Sequence, residues 1–159
     1  MPKVKKALLI LTILLVNGVV TPCFSARRGI QISEISLAHS GCFGSCPQYR
    51  VILRRDGTAT YIGEFYVKRV GAFEGKIRKA DFATLVNLIE AKRFFELKPR
   101  YDSPPGGQYV TDLDMVTVTV SRGGETTSVE DYGENGPSEL RQIEDAIERI
   151  TRRIKWKKR

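Results

Sequence analysis

A single histidine, a single tryptophan and three cysteines are all that 159 residues supply of those types. That poverty excludes a good deal of chemistry. Zinc is disfavoured, because there is one histidine and the two cysteines expected in the mature chain, Cys42 and Cys46, should be oxidised to a disulfide. A nucleophile with an imidazole base would have to use His39. Its neighbour Ser40 is adjacent only in sequence, and successive residues of an extended chain project to opposite sides, so the two form no dyad. No nucleophile-elbow motif is present. Gly106-Gly107 lacks the lysine and following helix of a phosphate-cradling loop. We therefore expect no catalytic residue, no metal and no cofactor, and read His39 as an ordinary residue at the lip of a loop.

Long hydrophobic runs are equally scarce. The one apolar stretch, Ala7 to Val20, is 14 residues long, short of the ~20 that a spanning helix needs. It follows Lys3, Lys5 and Lys6 and precedes Pro22-Cys23-Phe24-Ser25-Ala26, the pattern of a secretory signal peptide over residues 1–25 with Ala26 as the new N-terminus. Arg27-Arg28 beyond the cut is unusual and leaves an N-terminal membrane anchor as the minor alternative. Pro22 before Cys23 argues against a lipoprotein. The expectation is an exported protein, periplasmic or secreted, with one domain over residues 26–150 and a basic tail over 151–159.

The net charge of +8 is not spread over that domain. Seven cations and no acid lie between Arg149 and Arg159, whereas residues 26–148 carry 16 basic and 18 acidic side chains. Basicity thus belongs to the tail. Such a tail can contact an anionic surface, but it also reads as a solvated helix end whose cations suit the C-terminal dipole. Export argues against a nucleic-acid partner.

Without the leader two cysteines remain, Cys42 and Cys46, and an oxidising compartment would join them. A loop this small gains only ~2 kcal/mol from closure, so the bridge mainly sets a local shape. Thiol-redox proteins place C-x-x-C at a helix start, and this C-x3-C precedes a strand.

Alternation supplies the elements. Ile30, Ile32, Ile35 and Leu37 suggest a first strand with one irregularity. Tyr49, Val51 and Leu53 give a second, Asp56-Gly57 a tight turn, Thr58 to Tyr66 a third, and Val70 to Ile77 a fourth. The period then changes to that of a helix over about Ala80 to Phe95, with Phe82, Leu85, Val86, Ile89 and Phe94 on one face. Residues 98–110, rich in proline and glycine, form a long loop. A hairpin follows, Met115 to Ser121 and Thr126 to Tyr132 around Arg122-Gly123-Gly124. The last helix opens with Pro137 at its first position and carries Leu140, Ile143, Ile147, Ile150 and Ile154 in a stripe. Hairpin plus helix occurs twice, without enough identity between the halves to claim a duplication. The expected fold is α+β: an antiparallel sheet of about five or six strands with two helices packed on one face.

Carboxylates and aromatics are the remaining candidates. Asp112 and Asp114 would share a face if they lay in a strand, and Asp102, Glu130 and Asp131 could join them; the spacing matches no calcium loop, and Asp112 more simply caps a turn. Tyr101 and Tyr109 flank the long loop and could form a recognition patch with Phe43. Binding candidates are accordingly Phe43, Tyr49, Tyr101, Tyr109, Asp112 and Asp131.

The run Gly41-Cys42-Phe43-Gly44-Ser45-Cys46-Pro47-Gln48-Tyr49, with Asp56-Gly57-Thr58, Asp81-Phe82, Leu85, Thr111-Asp112-Leu113, Asp131-Tyr132-Gly133 and Gly136-Pro137-x-Glu139-Leu140, resembles the bacterial domain of unknown function family DUF6438. It spans about residues 34–150 and departs at Asp114, where similar sequences often have proline. The resemblance implies an exported bacterial protein and no particular substrate. Combined with the missing catalytic groups, it leads us to expect a non-enzymatic domain that binds another envelope or extracellular macromolecule through the Gly41–Pro47 and 98–110 loops. The alternatives are a carboxylate-dependent envelope hydrolase using Asp112, Asp114 and Asp131, and a thiol-redox protein using Cys42 and Cys46.

Overall fold

The computed structural model describes residues 31–103 and 106–159, so the expected signal peptide, the Arg27-Arg28 flank and Ile30 lie outside the described residues. Six long strands alternate as expected: β1 (Ile32–His39), β2 (Gln48–Arg54), β3 (Thr58–Phe65), β4 (Gly71–Lys76), β6 (Met115–Arg122) and β7 (Glu125–Tyr132). Their pairings with one another are antiparallel, and the irregularity in the first strand is a register shift between Ile32 and Glu34. Two further strands of two residues each, β5 (Arg100–Tyr101) and β8 (Lys157–Lys158), complete an eight-stranded sheet in the order β5-β7-β6-β1-β2-β3-β4-β8.

The expected count of five or six and the purely antiparallel sheet are therefore corrected. β5 runs parallel to β7, which makes the sheet mixed. A two-residue strand has no alternation to read, and both were hidden where composition pointed elsewhere: β5 in the Pro/Gly-rich segment, β8 in the basic tail.

One face of the sheet is covered by α1 (Lys79–Ala91) and α2 (Ser138–Arg153). Ile35, Leu37, Val51, Leu53, Val118 and Val129 point inward and meet Leu85 and Ile89 of α1 and Leu140, Ile143 and Ile147 of α2, all fully buried. Each such aliphatic contributes about 1.5–3 kcal/mol by leaving water. The other face is wet, with Thr119 bonded to Ser128 and Ser121 to Thr126 across the β6–β7 hairpin.

Two helix boundaries differ from expectation. α1 stops at Ala91 because Arg93 takes a left-handed conformation (φ 54°), and Phe94 enters the core from a short 3-10 turn over Phe94–Glu96. Pro137 is the N-cap of α2 and Ser138 its first residue: Pro137 itself is extended (φ −68°, ψ 161°), so the helix begins only after it. No helix among the described residues is long and apolar enough to cross a membrane.

The chain after α2 folds back. Trp156 stacks at a tilt on Tyr61 with 5.6 Å between ring centroids, its indole N–H donates to the Thr151 carbonyl (3.1 Å), and Arg159 N donates to the Ala72 carbonyl (3.0 Å). Gly75 on β4 makes room for this: a methyl group there would overlap Ile154 and press on the Trp156 ring. Gly75→Ala is expected to cost about 1–2 kcal/mol and to release the tail. Because Trp156 is the only tryptophan, a red shift of its emission reports the release directly, and unchanged emission would count against this account.

Candidate functional site

Two inward-facing strand positions break the aliphatic pattern. On β1 the series Ile35, Leu37 continues to His39, and on β7 Val129 is followed two residues later by Asp131. Both side chains therefore lie under α2 rather than in water. On α2 the residues Arg141, Glu144, Asp145 and Glu148 recur at helical spacing beside the buried stripe. Together with Asp114, just before β6, they line a cleft of about 580 Å³.

His39 bridges the cleft. Its Nδ1 lies 2.7 Å from Asp114 Oδ2 and its Nε2 lies 3.1 Å from Glu148 Oε1. Only an imidazolium donates from both ring nitrogens at once. Burial by itself would lower the His39 pKa, but the bonds to Glu148 and Asp114 outweigh it and the net direction is up. His39 hydrogen bonding in turn holds the Glu148 carboxyl below the usual carboxylate range, helped by Arg152. Tyr49 stacks on the His39 ring (centroids 4.8 Å apart) and its hydroxyl donates to Glu148 Oε1 (3.3 Å). Burial and the Glu148 charge keep that phenol protonated.

The cleft also holds carboxyl groups with unfilled acceptors. Asp131 is 1% exposed; its Oδ1 accepts from Gly136 N (2.7 Å) while Oδ2 has no partner among the described residues. Glu144 Oε1 and Asp114 Oδ1 are likewise buried without one. Burial, then the neighbouring Asp131 charge, pushes the Glu144 carboxyl up to about 8. Burial raises Asp131 as well. Among the described residues, no three His, Cys, Asp or Glu side chains are grouped so as to hold a metal ion.

None of the described residues of the loops named from the sequence lines the cleft; the stapled loop lies beside the chain that enters it. The Cys42–Cys46 disulfide is formed (Cα–Cα 5.6 Å) and both residues are half-buried. Phe43 N donates to the Asp112 carbonyl (3.3 Å) and Ser40 N to that of Met115 (2.9 Å), which lays the stapled loop beside the segment entering β6. Phe43 is 89% exposed, and Tyr109 and Val110 are exposed beyond it. Tyr109 stacks on Tyr132, whose hydroxyl accepts from Leu113 N.

The other candidates separate. Asp112 takes a left-handed conformation (φ 67°) in a turn and is exposed, so it does not share a strand face with Asp114. Tyr101 packs partly buried against the core, its hydroxyl accepting from Lys98 N. Asp102 and Glu130 flank Arg100 on the outer surface. Asp114 and Asp131 come together; Asp112 does not join them.

His39 is thus not a lip residue, and Glu144 and Glu148 were not expected at all. The signal for His39 and Asp131 was available as a polar residue at an inward position of an aliphatic alternation. The signal for α2 was its second, acidic stripe, which looks like a solvated face until a strand histidine is placed against it.

The segments that carried the resemblance meet here: Tyr49 on His39, Leu113 under Tyr132, Asp131 on the Gly136 amide. No curated protein matches the chain. A model of the family described as "Domain of unknown function (DUF6438)" matches residues 33–151, and the chain belongs to that family.

Proposed function

We propose that this is an exported, non-enzymatic binding domain of the bacterial envelope, and that the cleft beneath α2 receives a cationic segment of an envelope or extracellular macromolecule. The observation that carries the reading is Asp131: a carboxylate oxygen, all but inaccessible and without a donor, in a cleft with five further carboxyl groups and a single arginine. Leaving such an acceptor empty costs about 1–3 kcal/mol, and an ammonium or guanidinium group supplies the missing donors. Phe43, Tyr109 and Val110 are exposed apolar side chains outside the cleft lining that a bound macromolecule can contact as well.

The test is calorimetric titration of the protein with an oligolysine peptide. Binding that weakens with salt and drops at least tenfold in Asp131→Asn/Glu148→Gln supports the reading. Equal affinity in the double variant, or no heat at all, refutes it.

Carboxylate-dependent hydrolysis is the second reading, supported by one specific feature. A protonated Glu144 and an ionised Glu148 in a single cleft have their pKa values pushed apart, as a general acid and a charged partner require. Glycan hydrolysis that disappears in Glu144→Gln would favour it over binding. The thiol-redox reading gains no support from a disulfide set between two strands and away from a helix start.

A further inference from the structure

At the opposite edge of the sheet the refolded tail builds a second concave surface. β8 pairs with β4 in the register Phe73 to Lys158 and Glu74 to Lys157. That pairing, with Trp156 seated on Tyr61, fixes the last cations instead of leaving them in a mobile tail. The result is a hollow of about 720 Å³ walled by Arg54, Lys76, Arg153, Lys155, Lys157 and Arg159, with Glu74 the one acidic side chain among the described residues of its lining. Arg54 is paired with Glu34, Arg153 lies 4.0 Å from Asp81, and Arg159 bonds Glu74 (2.6 Å). Lys76, Lys155 and Lys157 make no ion pair among the described residues, so the lysine charges are the free ones.

We infer that this hollow is a binding site for an extended phosphate-bearing polymer. Three features select that class. Six cations around one hollow give a local potential far above that of the near-neutral domain body. Guanidinium forks and lysine point charges together are the donor set that phosphate oxygens take. The surface is a hollow lined from β2, β3, β4 and the chain from Arg153 onward, which suits a polymer segment lying in it; a bilayer would require a flat or convex basic face. Thr58 and Thr60 in the lining add hydroxyl groups. The acidic cleft lies at the other end of α2 and shares no lining residue with the hollow, so this inference stands or falls independently of the proposed function.

The probe is long-chain inorganic polyphosphate, titrated at several salt concentrations against the protein, Lys155→Glu/Lys157→Glu, and Lys92→Glu/Lys98→Glu, which changes net charge equally away from the hollow. The expected result is binding that falls with salt and weakens at least tenfold in the first pair and less than twofold in the second. Unaltered Trp156 emission in the first pair shows that the tail is still docked; Lys76→Glu, which leaves the tail sequence intact, should give a loss of the same kind if emission changes. Equal losses in the two pairs would reduce the effect to net charge and overturn the site. So would tighter binding to phosphatidylglycerol vesicles than to polyphosphate, which would indicate a membrane. A dimer abolished by Lys155→Glu/Lys157→Glu in a protein indifferent to polyphosphate would assign the hollow to a second copy and also overturn it.

Discussion

Raising the pH from about 5 to 8 is expected to remove about 3 kcal/mol of folding stability, most of it through Glu144. In the folded protein burial and the Asp131 charge push this carboxyl from 4.5 up to about 8. In the unfolded chain it has its ordinary value. Between those two values the unfolded state has released a proton that the folded state retains, so each pH unit favours unfolding by up to ~1.4 kcal/mol. Asp131, also raised by burial, acts with the same sign from its own lower starting value. His39 adds to the trend: its contribution is complete below the unfolded value of 6.5 and is lost as pH rises through its raised folded value. Glu148 works the other way, because its folded value is lowered; its contribution is present above 4.5 and is lost on further acidification. Stability should therefore peak near pH 5 and decline on both sides. Urea unfolding across the range, at constant ionic strength, measures the curve. Glu144→Gln should flatten most of the alkaline decline. A flat wild-type curve, or an undiminished slope in the variant, would contradict the burial assigned to this group.

How the chain advertises these features differs between fold and site. The long strands and both helices follow mostly from period-two and helical alternation of apolar residues, interrupted on the buried face at His39 and Asp131 and weakest in β4, which buries no residue fully. β5 and β8 were not legible because their partners are supplied by tertiary approach: Glu130 N reaches the Pro99 carbonyl, and Trp156 docks against Tyr61 and Gly75. The staple was legible, because Cys42 and Cys46 are the only cysteines beyond the expected leader. The cleft was half legible. Asp114 was singled out as sharing a strand face with Asp112 and Asp131 as a residue that could join them, but the left-handed conformation of Asp112 takes it out of the set. The β6–β7 register, which pairs Val116 with Asp131 and bonds Gly133 N to the Asp114 carbonyl, places Asp114 and Asp131 together. Glu144 and Glu148 reach them because α2 packs over the sheet, and no single-sequence periodicity encodes which residue of a helix lies above which residue of a strand.

The two concave surfaces are joined by a run of rings on the inner face of the sheet. His39 stacks on Tyr49, Tyr49 on Tyr61 (5.4 Å), and Tyr61 meets both Phe73 and Trp156. The same α2 supplies Glu148 to the cleft and, at its end, Arg153 to the hollow. A domain with an acidic cleft at one end and a basic hollow at the other is polar along its length although its body is nearly neutral. That polarity, invisible in the net charge, arises because a strand histidine and a refolded tail sort the carboxylates from the lysines.

His39→Phe isolates the centre of this arrangement. Phenylalanine keeps a ring over Tyr49 but removes both donors, leaving Asp114 and Glu148, each less than a third exposed, without the cation between them. Breaking a largely buried ion pair in this way is expected to cost about 3 kcal/mol near pH 6. The penalty should depend on pH as a bell. In acid it shrinks as Glu148 takes a proton and no longer needs the imidazolium. In base it shrinks because wild-type His39 itself passes through its raised folded value and loses one of its two donors. A pure packing defect would give the same penalty at every pH, so unfolding measured near pH 4, 6 and 9 separates the two causes. His39→Gln, which restores one donor but no charge, should recover part of the loss at pH 6. Nitrogen NMR of the imidazole provides the direct check: both ring nitrogens protonated at pH 6 is the expected state, and a neutral ring there would remove the basis for the bell.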